Sequence, residues 1–529
     1  MCFRLQTGPP HRKSTGNWKY GKATTAHGGL FRKENCVKIN QILAKVRYMD
    51  MTALCKQDAC SVLNQRRTKG PTRMEYLLFG LGAAVCFLLF NHPDIMETAR
   101  HAYILIQSTL DGNFLQFFEN TLSRTYGFQY VNAAHYNIIM YVLYALWELP
   151  LYLVERIGGF VFDDVFLAMW CKAIGVGFYL CCGILVGKLA QRIGCDETAC
   201  QWTSLLFWLN PISFFNTLVM GQYDSICLFF VLWAMLLYFD KKYMAFSLVM
   251  GVGFVFKFFP LFVFIPMLLL VEKRVPQLLK YGAVSLWLYI PTTLLFAGRT
   301  GDAAFFNQLM TDRLFTAVFP GGTADASYFG LAMVVICVAA YLYRPQDAQT
   351  WYDVTVYGAM TVFSLLFIFV LWHPQWLILL TPFLILSALR QREKTTYAYL
   401  NVALCIGFFL LVAFVYPHGL EGNLFDWGVL RPLTGWFYSI VAEPRWNAFY
   451  LALIPYLDKI APILFYGALF CGILFQFPLH GKSLGDHLAG ECTDRIQYRL
   501  TCWGTFILAF GGFWFAPTLF SYLKTIGLL

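Results

Sequence analysis

Charge is what this chain has least of. Asp, Glu, Lys and Arg make up 13% of its 529 residues, against about a quarter in an ordinary soluble domain. With 58% hydrophobic and 18% aromatic residues and a mean hydropathy of +0.55, it carries more apolar surface than a water-soluble fold can hide. Long polar stretches are missing as well: between Tyr76 and Leu523 one apolar run follows another. A length that would allow roughly three or four soluble domains is therefore read as one membrane domain with loops.

The sequence has no CxxC pair and no metal-ligand spacing. Most of its 16 cysteines lie inside apolar runs, among them Cys86, Cys171, Cys227 and Cys405, where a thiol behaves as a small hydrophobe. This argues against a disulfide framework and against cysteine chemistry. Nor is there a signal peptide, because no apolar h-region follows the charged head of the chain. Residues 1–73, rich in Arg, Lys, Thr, Asn and Gly, read as a basic, disordered cytoplasmic tail or as an over-extended translation start ahead of Met74. The net charge of +10 gathers there and in short clusters between apolar runs. That is the pattern of cytoplasmic loops rather than of a nucleic-acid surface.

What the chain does have is apolar runs near the length of about twenty residues that a bilayer core requires. They fall at 74–91, 165–188, 199–219, 224–240, 243–257, 259–272, 278–297, 327–344, 351–372, 374–390, 396–416, 457–476 and 500–524. The expectation is an all-α integral membrane protein of about thirteen transmembrane helices. Arg66, Arg67, Lys69 and Arg73 put the start of the first helix in the cytoplasm. With alternation, Lys188/Arg192, Lys241/Lys242, Lys273/Arg274/Lys280, Arg344, Arg390/Arg392/Lys394 and Lys482/Arg495/Arg499 also fall inside, provided the run at 135–154 does not cross. That run is read as a helix dipping into or lying on the outer leaflet. It becomes part of a long first external loop, 92–164, that also carries amphipathic helices, within the membrane domain 74–529.

Polar breaks then collect on the outer side, and a shared polar cavity explains them most economically. Asp94, just past the first helix, serves either as a general base toward a hydroxyl or as a cap of an amphipathic helix. Gln222, Tyr223 and Asp224 form a GQYD link that either binds substrate or is a glycine turn with an aspartate N-cap. Lys257, among four phenylalanines in FVFKFF, must pair, snorkel, or meet an anion such as a lipid phosphate. Lys172 is a weaker case, read as snorkelling. In WHPQW, Trp372 to Trp376, the tryptophans suit an interfacial belt, while His373 and Gln375 would face the same cavity. There His373 could donate to phosphate or complete an acid/base pair with Asp94. The aromatics and charges from Phe425 to Trp446 suit a headgroup or a belt equally well.

In their order and common side these motifs resemble those of the GT-C superfamily of membrane glycosyltransferases, which use polyprenyl-phosphate sugars, and more narrowly those of bacterial relatives of the GPI-anchor mannosyltransferases. The resemblance covers roughly residues 74–420. It rests on an acid soon after the first helix (Asp94), on GQYD followed by a Lys-aromatic-aromatic-Pro step, and on HPQW. Where the family commonly shows paired acids or Tyr-Pro-Pro, the chain reads NAAHYNIIMY, Asn132 to Tyr141. The resemblance implies inverting transfer of a hexose such as mannose from a polyprenyl-phosphate sugar to a glycan, lipid or protein acceptor. In that reaction Asp94 is the base, Lys257 and His373 lie near phosphate, and Gln222, Tyr223, Asp224 and Gln375 bind substrate. The donor arrives activated, so no cofactor or metal is required, though a divalent metal is compatible. The expected partners are membrane lipids, and the expected setting is the bacterial cytoplasmic membrane, or alternatively the endoplasmic reticulum. The competing readings are a lipid-linked saccharide flippase or other carrier, which would place paired charges at mid-membrane, and a non-catalytic scaffold.

Overall fold

A computed structural model describes residues 69–122, 134–297, 312–320, 324–392, 394–414, 428–429, 444–479, 482–489 and 497–528. The N-terminal tail up to residue 68 and the aromatic stretch from Phe425 to Glu443, apart from residues 428–429, lie outside them. Helices of seven residues or more are numbered in chain order. They are α1 Arg73–Leu89, α2 Pro93–Leu110, α3 Ile138–Gly158, α4 Asp164–Arg192, α5 Glu197–Trp208, α6 Asp224–Phe239, α7 Tyr243–Phe256, α8 Pro260–Val271 and α9 Val275–Ser285. These are followed by α10 Tyr289–Leu295, α11 Tyr328–Leu342, α12 Ala348–Phe369, α13 Thr381–Leu389, α14 Lys394–Phe414, α15 Pro444–Phe475, α16 Tyr498–Thr505 and α17 Gly512–Thr525. Strands among the described residues are confined to two short antiparallel pairs.

Five of these helices are long and apolar enough to cross a membrane, or up to seven if each of two bent pairs counts as one span. The protein is a helical multi-pass membrane protein. Several runs that read as single spans in the sequence are broken. The run 199–219 ends as α5 at Trp208, restarts at Pro211 and finishes in a wide turn over Phe215–Val219. The cause is local: Pro211 lacks an N–H and disfavours helical backbone before it, and Asn210 caps the restart. Likewise 374–390 begins as a tight turn, Pro374–Leu379, before α13. The run at 135–154, excluded from the crossing count above, forms α3, which by length and composition alone is a candidate span.

Capping contacts fix the two ends of α1. α1 ends at Leu89, and α2 leaves it at 71°. The break is fixed by Pro93 at the first position of α2, with His92 as its N-cap. Beneath this corner Lys172 does not snorkel. It is 1% exposed, and its Nζ donates to the carbonyls of Cys86 (3.4 Å), Phe87 (3.1 Å) and Phe90 (2.6 Å). A cation on the orphan carbonyls of a helix C-terminus satisfies them and complements the dipole. At the opposite end of α1, Thr72 and Glu75 form a capping box, and Glu75 pairs with Arg499 of α16 at 2.7 Å.

Candidate active site

α6 follows the Gly221 turn, α7 ends at Lys257, and the break between α12 and α13 carries His373. These three ends meet the start of α2. Gly221 has a φ of +65°, a conformation glycine enters freely. A Cβ there would also lie 3.2 Å from the Lys172 side chain. The turn presents Gln222, which is buried, to α2: its Nε2 donates to Asp94 Oδ2 at 3.0 Å.

Asp94 is therefore not the cap of its own helix. His92 is, accepting the Asp94 N–H on Nδ1 at 3.3 Å. The same nitrogen stands 3.5 Å from Asp94 Oδ1. Burial opposes ionisation of Asp94, but the hydrogen bond and charge of His92, together with Gln222, hold its carboxyl down at about 2. Half of its side-chain surface, 50%, remains open. The result is an ionised carboxylate with an accessible edge.

Asp224 does not cap α6 either, since Tyr223 holds that position without a side-chain cap. Its carboxylate is fully buried, and Lys257 Nζ lies 3.5 Å from Oδ1, while neither oxygen is hydrogen-bonded. Lys257 is 5% exposed at its side chain and does not snorkel. Its ammonium touches Tyr136 Oη at 3.3 Å and sits over the rings of Tyr136, Tyr223 and Trp376 at 4.6, 5.1 and 5.9 Å. Three ring faces and one carboxylate replace the water that a buried ammonium gives up. Tyr223 thus acts through its ring, wedged against Tyr136 and Tyr144.

His373 is exposed, and its Nε2 meets Arg313 Nη2 at 2.7 Å. Although part of the residue is open, the protein packed around its ring and the Arg313 charge pull its pKa down to about 4. At neutral pH the ring is uncharged and accepts from Arg313 on Nε2, so its proton is on Nδ1, available to a ligand. The expected acid/base pair with Asp94 is not what the geometry forms. The imidazole beside Asp94 is His92, and His373 belongs to Arg313. Trp376 lies under both, 5.1 Å from the His373 ring and 5.1 Å from the guanidinium, with its buried Nε1 unpartnered. Gln375 is buried in the same turn and is tied in through its backbone: Asn216 donates to its carbonyl at 3.4 Å and to that of Pro374 at 3.0 Å.

Sequence reasoning passed over His92, Tyr136 and Arg313, and gave Trp376 only an interfacial role. His92 is adjacent to Asp94 and could have been weighed with it. The other contacts join positions sixty or more residues apart in single-residue steps that no periodicity marks.

A surface that combines an ionised acid, two cations and a neutral imidazole can accept a proton from a hydroxyl and hold an anion. Neither a curated protein nor a solved structure matches the chain. The model of glycosyltransferase family 87 matches residues 149–414. That range includes Gln222, Asp224, Lys257, Arg313 and His373, while Asp94 and Tyr136 precede it. It spans just over half of the 529 residues, and the chain belongs to glycosyltransferase family 87.

Proposed function

We propose that the protein transfers a hexose from a polyprenyl-phosphate sugar to an acceptor hydroxyl at the extracytoplasmic face of its membrane, with inversion. The observation that carries this reading is an apolar groove of about 600 Å³ that begins at Phe258, next to Lys257, and runs between α8 and α9–α10 past Leu261 and Ile265 to Leu269. From Phe258 to Leu269 is about 16 Å of helix, half of the roughly 30 Å hydrocarbon core. A lipid tail laid there brings its phosphate to the cationic end, where Lys257 and Arg313 supply charge and His373 Nδ1–H and Trp376 Nε1–H supply donors.

The reaction then needs only groups already named. The acceptor oxygen bonds to the anomeric carbon while the bond from that carbon to the phosphate oxygen breaks. The electron pair leaves with the phosphate, and the acceptor proton passes to Asp94. The open half of the Asp94 side chain admits the hydroxyl as a second donor beside Gln222, and its proton passes across as the new bond forms. The GT-C resemblance supports the same assignment, with mannose as the first sugar to test.

The extracytoplasmic placement of the site rests on reading α3 as a non-crossing helix, and its contacts support that reading. Along its length this helix meets the outer ends of other helices in turn. Tyr136, just before it, touches Lys257, and Asn137 donates to Thr292 at 2.8 Å. Tyr144 packs on Tyr223, and Trp147 and Trp170 exchange hydrogen bonds at 2.7 and 2.9 Å. A crossing helix would meet its neighbours at successive depths. We read α3 as lying across the bundle as a cover of the site, a placement that keeps the basic clusters cytoplasmic. No observation favours the carrier reading.

The test is a donor comparison. Purified protein is expected to transfer label from polyprenyl-phosphate hexoses and not from nucleotide hexoses; the opposite preference refutes the proposal. The pH dependence is a second check. Asp94 and His373 are depressed to about 2 and about 4, so neither changes protonation between pH 8 and 6. As pH falls through about 4, His373 gains a proton and can no longer accept from Arg313. Any acid limb of kcat/KM contributed by this ring lies near 4. In Arg313→Gln it moves to higher pH, because the repelling charge is gone; an unmoved limb contradicts the pairing.

A further inference from the structure

A second groove, of about 610 Å³, lies on the opposite half of the molecule between α4 and α6. On α4 it is lined at helical spacing by Cys181, Ile184, Lys188 and Arg192, and on α6 by Phe229 and Trp233. Cys181 is exposed, and Ile184 and Trp233 are 50% and 42% exposed, although both are large apolar side chains. From Cys181 to Arg192 is about 16 Å of helix, one leaflet of the hydrocarbon core. The groove is graded along this length: its upper part is apolar, and all of its charges lie at the lower end.

That end is positively charged. Asp240 is already satisfied by Arg192 at 2.7 Å and Lys242 at 3.5 Å, while among the described residues Lys188 has no ion-pair partner and is exposed. Lys241 follows in the same turn. Lys188, Arg192 and Lys242 thus outnumber the single carboxylate where the groove meets the cytoplasmic interface, under the orientation set by the basic loops, while Lys241 sits over the Trp351 ring at 5.9 Å. A snorkelling lysine alone would need no groove, and an apolar groove alone would take any acyl chain. Together they select a lipid whose tail fills one leaflet and whose headgroup is negative.

We infer that the α4–α6 groove is a binding site for an anionic glycerophospholipid of the cytoplasmic leaflet, its acyl chain against Ile184, Phe229 and Trp233 and its phosphate at Lys188. The site is separate from the donor groove, which opens at the other face between other helices, so it serves to anchor the bundle and not to supply substrate.

Native mass spectrometry of the full-length protein, released from micelles containing phosphatidylglycerol and phosphatidylcholine, tests this. The wild type is expected to retain one phosphatidylglycerol in preference to phosphatidylcholine. Lys188→Ala lowers its occupancy roughly fivefold, the effect of one interfacial cation. Lys188→Arg restores it, and Ile184→Trp, which fills the apolar part, lowers retention without touching the charge. Sugar transfer in micelles of uncharged lipid stays at the wild-type rate in all three variants, which separates failure of this site from failure of the active-site reading. Equal retention of the two lipids, or unchanged phosphatidylglycerol occupancy in both Lys188→Ala and Ile184→Trp, overturns the inference.

Discussion

Asp94→Asn is expected to leave a folded protein that still takes up its donor but transfers sugar roughly 10²- to 10⁴-fold more slowly, the loss typical of a removed general base. The substitution is nearly isosteric. The hydrogen bond from Gln222 at 3.0 Å survives it, because an amide oxygen still accepts it. Half of the side chain is open, so no buried charge is created or stranded and stability should change by less than about 1 kcal/mol. Asp94 sits in the first turn of α2, whose N-cap is His92, and removing its charge costs only a small dipole interaction. A structural role would therefore appear as lost expression with residual specific activity. A catalytic role appears as normal expression, unchanged KM and collapsed kcat. Wild-type transfer by the folded variant would remove Asp94 from the mechanism.

Lys257→Met is expected to damage the fold as well as the reaction. Asp224, 1% exposed, would lose its ion-pair partner, and stripping one member of a buried pair typically costs about 3–5 kcal/mol. Removing both charges together behaves differently: Lys257→Met with Asp224→Asn leaves no uncompensated charge and should recover most of the lost thermal stability. Activity should not recover with it, because the cation proposed to meet the donor phosphate is still absent. The single variant alone could not tell a scaffold lysine from a ligand-binding one, whereas the double variant does. If it is both stable and fully active, Lys257 and Asp224 serve the fold alone. If both remain unstable, the aromatic cage of Tyr136, Tyr223 and Trp376 depends on the ammonium it surrounds.

The sequence made the helical membrane class legible because apolar runs and basic clusters are local signals, readable without knowing what packs on what. The same locality explains where the reading stopped. Windows of twenty apolar residues passed over the Asn210–Pro211 break, since capping and a missing N–H alter backbone geometry without changing hydropathy. Composition likewise does not decide between a crossing α3 and one on the outer surface, because both placements ask for an apolar helix of about the same length, as α3 is. At the site, the motif residues Asp94, Gln222, Asp224, Lys257 and His373 were visible as polar breaks between apolar runs. Their pairing was not. Gln222 on Asp94 and Arg313 on His373 are contacts between distant segments. In the sequence Lys172 is a cation in an apolar run, which suggests snorkelling; only the corner between α1 and α2 supplies the carbonyls that hold it.

The most direct test of the account is made in sealed proteoliposomes carrying a polyprenyl-phosphate hexose labelled in the sugar, with wild-type protein and Asp94→Asn side by side. The account predicts that wild type converts the label into a covalent acceptor glycoside with release of polyprenyl phosphate, with the anomeric configuration inverted, and that Asp94→Asn does so at least a hundredfold more slowly. Label recovered unchanged on the other side of the bilayer, with no glycoside formed, would contradict it.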